Sequence, residues 1–135
     1  MKDKRRSFPK DIYNEGGVDY GEQANRLEPN TPSILTTLGV ARYRVGAYED
    51  ALEVLKRSEN IIADFVVFGE PVLEPDPTNA AFIAMALHQL GRDEDAQAAL
   101  DRLRDLRKEE RIAENKQAQA FLDEAEKLLS GEEQK

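Results

Sequence analysis

The stretch LGVARYRVGAYEDALEVL, residues 38–55, decides the fold of this chain, because IAMALHQLGRDEDAQAAL, residues 83–100, repeats its pattern at an offset of 45 residues. In each stretch, apolar side chains recur every three or four positions on both sides of one glycine, which is typical of two helices joined by a tight turn. The matched pairs are Ala41 and Ala86, Gly46 and Gly91, Ala51 and Ala96, and Leu55 and Leu100, with Gly39 over Ala84 as small residues. The chain therefore contains two copies of a helical hairpin.

Helical spacing continues outward from the two turns. It predicts hairpins over about residues 33–63 and 79–109, and the two helices of each are antiparallel because only two residues join them. A further amphipathic helix is expected at about residues 112–129, and a short one within residues 18–28, ended by Pro29. No alternation of apolar and polar residues marks a strand, so the expected fold class is all-α.

Residues 64–77, DFVVFGEPVLEPDP, interrupt the helical pattern. Three prolines exclude a continuous helix, while six large apolar residues are too many for a free linker. We expect an ordered loop that folds back onto the helices. The alternative is a short hydrophobic segment that binds a partner or lies in a groove of the chain itself.

The charge of the 135 residues is uneven and limits the classes of partner. Residues 1–10 carry five of the 19 basic residues, whereas residues 11–135 carry 14 basic against 26 acidic residues, a net charge of −12. A body of that sign repels phosphate backbones, so we expect no nucleic-acid partner. Residues 1–17 are predicted to be a basic, poorly ordered segment and residues 131–135 a frayed tail, which leaves one domain over residues 18–130.

The residue types present exclude several kinds of site. The chain has no cysteine and one histidine, His88, so it contains no disulfide, cysteine nucleophile or Cys/His zinc site. We expect no cofactor, no metal and no enzymatic activity. The acidic run 93–95 could suggest acid–base chemistry, but acidic residues are also favoured at a helix N-terminus by the helix dipole, and that explains the run. No apolar run reaches 18 residues, and no apolar stretch follows residues 1–10, so neither a membrane span nor a secretory signal is predicted. A cytoplasmic protein is expected, in agreement with the absence of cysteine.

The repeated unit resembles the tetratricopeptide repeat, a helical hairpin of about 34 residues. Arg42 stands at the position where the family usually has a tyrosine, with Tyr43 next to it. In the second copy, Asp93 replaces the second tyrosine of the family pattern. The longer offset implies about eleven inserted residues, which fits residues 64–77. The residues that carry the resemblance are Leu35, Leu38, Gly39, Gly46, Tyr48, Ala51, Leu55 and Ser58 in the first copy, and Ile83, Ala84, Ala86, Gly91, Ala96 and Leu100 in the second.

The resemblance covers residues 18–130 and implies a short α-solenoid. It would consist of two tetratricopeptide-like hairpins with a partial N-terminal helix and a C-terminal capping helix. The sequence is also similar to the C-terminal repeat region of bacterial, planctomycete-type proteins in which such repeats follow Ser/Thr protein-kinase or β-propeller modules. It has no glycine-rich nucleotide loop, HRD triplet or DFG triplet, so no kinase chemistry is implied.

What the resemblance implies is a non-catalytic module that binds a protein or peptide. The alternative is a structural or oligomerisation element of a larger bacterial signalling protein, as a homodimer for example. In this family the first helix of each pair lines a concave groove, which suits a peptide with an apolar anchor and an acidic group near Arg44. The predicted partner-binding residues are Thr36, Val40, Tyr43, Arg44, Ala81, Phe82, Met85, His88 and Gln89, with Ser33, Thr37 and Thr78 beside them.

The sequence leaves other arrangements of this groove open. Phe82 and Met85 would leave it if they pack under the final helix or under the loop of residues 64–77. The final helix itself either caps the array or mediates self-association. The carboxylate clamp of chaperone-binding members is not expected, because Val40 and Met85 stand where that clamp has an asparagine.

Overall fold

A computed structural model describes residues 22–26, 30–71 and 73–131, and it is mostly helical. Residues 22–26 are helical, while the predictions for residues 1–17 and 132–135 lie outside the described residues. The elements in chain order are α1 (Pro32–Arg44), α2 (Tyr48–Asp64), β1 (Val66–Val67), β2 (Glu70–Pro71), α3 (Pro77–Gln89), α4 (Asp93–Arg107), α5 (Glu110–Ala113) and α6 (Lys116–Ser130). The all-α class is thus confirmed in its coarse form, with one small two-stranded sheet as the exception.

Local sequence explains where the four long helices of the repeat begin and end. Proline occupies the first turn of α1 and of α3, where its missing N–H would have no helical partner. Asp76 also accepts a hydrogen bond from the Thr78 N–H at 2.8 Å and so caps α3. Gly46 and Gly91 adopt φ values of 88° and 78°, a left-handed conformation that glycine reaches without strain. Each turn therefore reverses the chain within three residues.

Helix α3 lies at the centre of the packing. It contacts α1, α2, α4 and α6, and every residue from Asn79 to Leu87 is buried. Its core is continuous with buried leucines of α2, α4 and α6, whereas Leu35, Leu38 and Val54 form a smaller cluster between α1 and α2. The two helical pairs and α6 consequently share one hydrophobic core.

The region after α4 differs from the single helix predicted over residues 112–129. The structure has the one-turn helix α5 and then a separate α6, because Asn115 is extended and ends the helical path. The Asn115 side chain accepts a hydrogen bond from the Ala118 N–H at 3.0 Å, which starts α6. A capping asparagine therefore divides a segment whose apolar spacing alone predicts one continuous helix.

Residues 65–71 also differ from expectation. They form an antiparallel hairpin in which Val67 pairs with Glu70 and Val66 with Pro71. The predicted packing of residues 64–77 onto the helices is wrong for Phe65, Val66, Val67, Phe68 and Leu73, whose side chains stay exposed. The end of the segment does contact a helix, because Arg111 of α5 binds Glu74 and the Pro75 carbonyl. None of the helices in the described residues has the length and apolar character needed to cross a membrane.

Candidate partner-binding face

The predicted groove residues of α1 and α3 come together, but α6 covers part of the surface that they form. Phe82 is completely buried, and its ring meets that of Phe121 on α6 edge to face, with 5.0 Å between centroids. Val40, Ala81 and Met85 are buried as well. The sequence allowed Phe82 either to line an open groove or to pack under another element. In the structure it packs under the final helix.

An ion pair joins α1 to α6 across this surface. The Arg44 guanidinium donates two hydrogen bonds to the Glu124 carboxylate, at 2.5 and 3.0 Å, and lies 5.0 Å above the centroid of the Phe82 ring. The acidic group that the sequence analysis expects near Arg44 in a ligand is thus supplied here by the chain itself. About a third of each side chain is exposed, so water screens the pair and its contribution is about 1 kcal/mol or less.

A second arginine holds the opposite side of α6. Arg107 on α4 pairs with Asp123 and, at 3.2 Å, with Glu126, and its Nε donates to the Gln119 side-chain oxygen at 2.9 Å. These carboxylates raise the pKa of Arg107, so it stays charged. Arginines from both helical pairs therefore bind acidic residues of α6, in addition to its apolar contacts.

The far end of the face is aromatic in one repeat and polar in the other. The Tyr43 ring packs against Tyr48 and Phe82, with centroids 5.2 and 5.3 Å away, and Gln89 donates to its hydroxyl at 3.3 Å. Burial raises the pKa of Tyr43. His88 is partly exposed, with its Nδ1 3.7 Å from an oxygen of Asp93. Within the described ranges, no cluster of His, Asp or Glu has the composition of a metal site.

An open pocket of about 170 Å³ remains beside α6. Ser33, Thr36, Thr37 and Thr78 contribute hydroxyl groups to its wall, and Phe121 contributes apolar surface in front of the buried Val40. The lining residues of α1 and α3 are among the predicted groove residues, whereas Asp76, Gln117 and Phe121 were not predicted. An aspartate directly before Pro77 is typical of a helix cap and could have indicated Asp76, but only the placement of α6 brings Gln117 and Phe121 to the pocket. The lining residues are Ser33, Thr36, Thr37, Val40, Asp76, Thr78, Gln117 and Phe121.

A buried polar network lies beneath this pocket. The Thr36 hydroxyl donates to the Asn79 side-chain oxygen at 2.7 Å, and the Asn79 amide donates to the Ser58 hydroxyl at 3.1 Å. The Ser58 hydroxyl in turn donates to the Pro32 carbonyl at 3.0 Å. These bonds join α1, α2 and α3, and they give the buried side chains of Thr36, Ser58 and Asn79 hydrogen-bond partners within the protein. Thr36 therefore shapes the floor of the pocket.

Comparisons with protein-family models, with curated proteins and with solved structures found no match to this chain. Function is accordingly inferred from the repeat and from the geometry of the face formed by α1 and α3.

Proposed function

We propose that this chain is a non-catalytic protein-interaction module, a short α-solenoid of two tetratricopeptide-like hairpins. It binds a peptide or a partner domain through the concave face of α1 and α3. The observation that carries the proposal is the open pocket at the predicted groove residues Ser33, Thr36, Thr37, Val40 and Thr78. The sequence repeat at an offset of 45 residues supports the assignment to this class of fold.

The size and chemistry of the pocket favour part of a peptide over a small molecule. Its volume of about 170 Å³ is below the range of about 300 to 1,000 Å³ that is usual for small-molecule sites. The hydroxyls of Ser33, Thr37 and Thr78 both donate and accept hydrogen bonds, as the backbone of an extended peptide requires. Phe121, which is partly exposed, suits one apolar side chain, and the completely buried Val40 supports the pocket from beneath.

In this proposal the ligand binds beside α6. Ala81, Phe82 and Met85 shape the face from beneath, since they are completely buried and contact no ligand directly. Arg44 is engaged by Glu124, so an acidic ligand group must compete with that carboxylate. The residues expected to touch the ligand are therefore those around the open pocket.

The test is selection of a displayed library of random nine-residue peptides on the full chain. Binders are then compared on Ser33→Tyr, which places a ring in the pocket from an exposed position of α1. The control is Gln97→Tyr, the introduction of the same ring at an exposed position of α4. We expect at least one family of peptides that binds Ser33→Tyr at least about tenfold more weakly and binds the control normally, because the added ring excludes the anchor.

Two results would reject this function. One is a selection in which no peptide distinguishes Ser33→Tyr from the control. The other is a stable dimer, detected by sedimentation, that dissociates in Ser33→Tyr, because the face would then serve self-association. Circular dichroism of both variants verifies that the helices are intact.

A further inference from the structure

Exposed large apolar side chains of the described residues concentrate in one short segment. Of the six such side chains, Val45 lies elsewhere, and the remaining five are Phe65, Val66, Val67, Phe68 and Leu73. Phe68, at the tip of the β1–β2 hairpin, is 100% exposed. Clustered apolar exposure of this kind marks an interaction surface more often than a scattered exposed residue does.

The turn of the hairpin makes Phe68 still more unusual. Phe68 and Gly69 have φ values of 55° and 79°, the left-handed conformations of a two-residue hairpin turn that favours Asn-Gly. A bulky residue is disfavoured in that conformation, and no packing within the described chain compensates Phe68 for it. Folding does not explain an aromatic residue at this tip, whereas a contact with another molecule does.

The backbone of the hairpin leaves one edge open. Val67 and Glu70 flank the two-residue turn and form its hydrogen-bonded pair, so the N–H and C=O of Val66 point away from β2. On β2 the outward position belongs to Pro71, which has no N–H to donate. The edge of β1 is therefore the one that can pair with an added strand.

The charge of this region indicates the chemistry of the strand that it would accept. Residues 58–91 contain five acidic residues and no lysine or arginine. Arg102 pairs with Glu59 at 2.6 Å and Arg111 with Glu74 at 3.2 Å, but no basic side chain among the described residues pairs with Asp64 or Glu70 beside the hairpin. A second copy would bring the same acids together, whereas a basic segment would neutralise them.

We propose that the β1–β2 hairpin is a second docking surface, which binds an extended, apolar and basic segment of a partner protein. The segment adds a strand to the edge of β1, Phe68 packs on its apolar side chains, and Asp64 and Glu70 attract its basic ones. This surface uses none of the residues that line the pocket of α1 and α3.

The same displayed library tests this proposal in a separate selection, on the full chain with counter-selection against Phe68→Asn. Asparagine suits the left-handed turn, so this variant removes the aromatic ring and keeps the hairpin. Phe68→Gly is a second variant of the same kind. The selected peptides should combine lysine or arginine with apolar residues and bind both variants at least about tenfold more weakly, as expected when one phenylalanine is no longer buried.

Charge and backbone are then examined with a synthesised selected peptide. Glu70→Gln should weaken binding at low salt by up to about fivefold, while Glu53→Gln, on an exposed part of α2, should leave it unchanged. Two further peptides are then made, each methylated on one of the two alternating sets of backbone nitrogens. Methylation of the set that faces β1 should abolish binding, whereas methylation of the set that faces away should be tolerated.

The proposal is overturned if no peptide depends on Phe68, if the selected peptides are acidic, or if the peptides methylated on either alternating set of nitrogens both still bind. A dimer of the wild-type chain that is lost in Phe68→Asn would overturn it as well, by showing that a second copy occupies the hairpin. Ser33→Tyr should not affect these peptides, so failure here is distinguishable from failure of the pocket proposal.

Discussion

The two helical pairs share one repeat but pack through different chemistry at matched positions. Between the first pair and α3, Thr36 and Ser58 form a buried hydrogen-bonded layer with Asn79. Forty-five residues later, Ala81 and Leu103 occupy the matched positions in an apolar core that continues into α6. The repeat thus specifies how helices pair, while each interface uses the side chains that its own neighbour requires.

The apolar layer should produce the largest effect on stability. Leu103 is completely buried, so Leu103→Ala leaves a cavity and should lower the free energy of unfolding by about 2 to 5 kcal/mol. Urea denaturation followed by circular dichroism measures the change. Leu129→Ala, at a partly buried position of α6, is the control and should cost clearly less. Equal losses would show that the layer around Leu103 is not the centre of the core.

The polar layer should respond to a single substitution more strongly than to a complete replacement. Asn79→Ala removes the hydrogen bonds of Thr36 and Ser58 to the buried amide, leaves the two hydroxyls only each other and the Pro32 carbonyl as partners, and opens a small cavity. It should cost about 1 to 3 kcal/mol in the same experiment. The triple variant Thr36→Val, Ser58→Ala, Asn79→Leu removes the polar groups together and should cost less than the single variant. A triple variant that is the less stable of the two would show that the hydrogen bonds are a net source of stability.

The small residues of the first helices should show the next difference. A Cβ on Gly39 would lie 2.5 Å from Cγ of Leu55, whereas Ala84 occupies the matched position in the second pair. Gly39→Ala should therefore destabilise the chain by about 1 to 2 kcal/mol, because overpacking outweighs the higher helix propensity of alanine.

Thermal and urea denaturation of a double variant isolate this contact. With Leu55→Ala already present, the space is open and Gly39→Ala should stabilise the chain by up to about 1 kcal/mol. Destabilisation by Gly39→Ala in both backgrounds would mean that α1 and α2 are kept apart by some other contact.

The smallest expected effect comes from the aromatic end of the face. Tyr43 and Tyr48 in the first pair match His88 and Asp93 in the second, so only the first pair has a buried phenol there. Burial raises the pKa of Tyr43, so the folded chain keeps this proton at a pH where the unfolded chain has lost it. The stabilisation by Tyr43 is complete below its unfolded pKa of about 10 and falls as the pH rises toward the folded value.

Urea denaturation at several alkaline pH values tests this dependence. The free energy of unfolding should fall less steeply with pH in Tyr43→Phe than in the wild-type chain, because phenylalanine has no proton to lose. Identical pH profiles of the two proteins would contradict a raised pKa in the folded state.

Local patterns predicted much of the helical framework. The apolar spacing and the glycines at positions 46 and 91 indicated both hairpins, and α1 and α3 begin within two residues of the predicted starts of these hairpins. The separation of α5 from α6 was missed because one side-chain cap at Asn115 outweighs a continuous apolar pattern. The strands were missed because a two-residue strand is too short for alternation to be visible.

The candidate site was predictable only where it depends on position within the repeat. That position identified the residues of α1 and α3, but it contained no information on which of them α6 covers. Phe82 is buried because Phe121 packs on it, and Arg44 is engaged because Glu124 reaches it from 80 residues away. Both facts depend on where an amphipathic helix docks, and an amphipathic pattern fits any apolar surface of the right width.

Helical periodicity and turn chemistry are local properties, so the amino-acid sequence was sufficient for the pairing of α1 with α2 and of α3 with α4. Tertiary structure alone decided which apolar side chains are covered. Phe82 and Phe68 are both aromatic residues in apolar stretches, yet one is completely buried and the other completely exposed. The difference arises because burial depends on the elements that pack around a residue, and these come from distant parts of the chain.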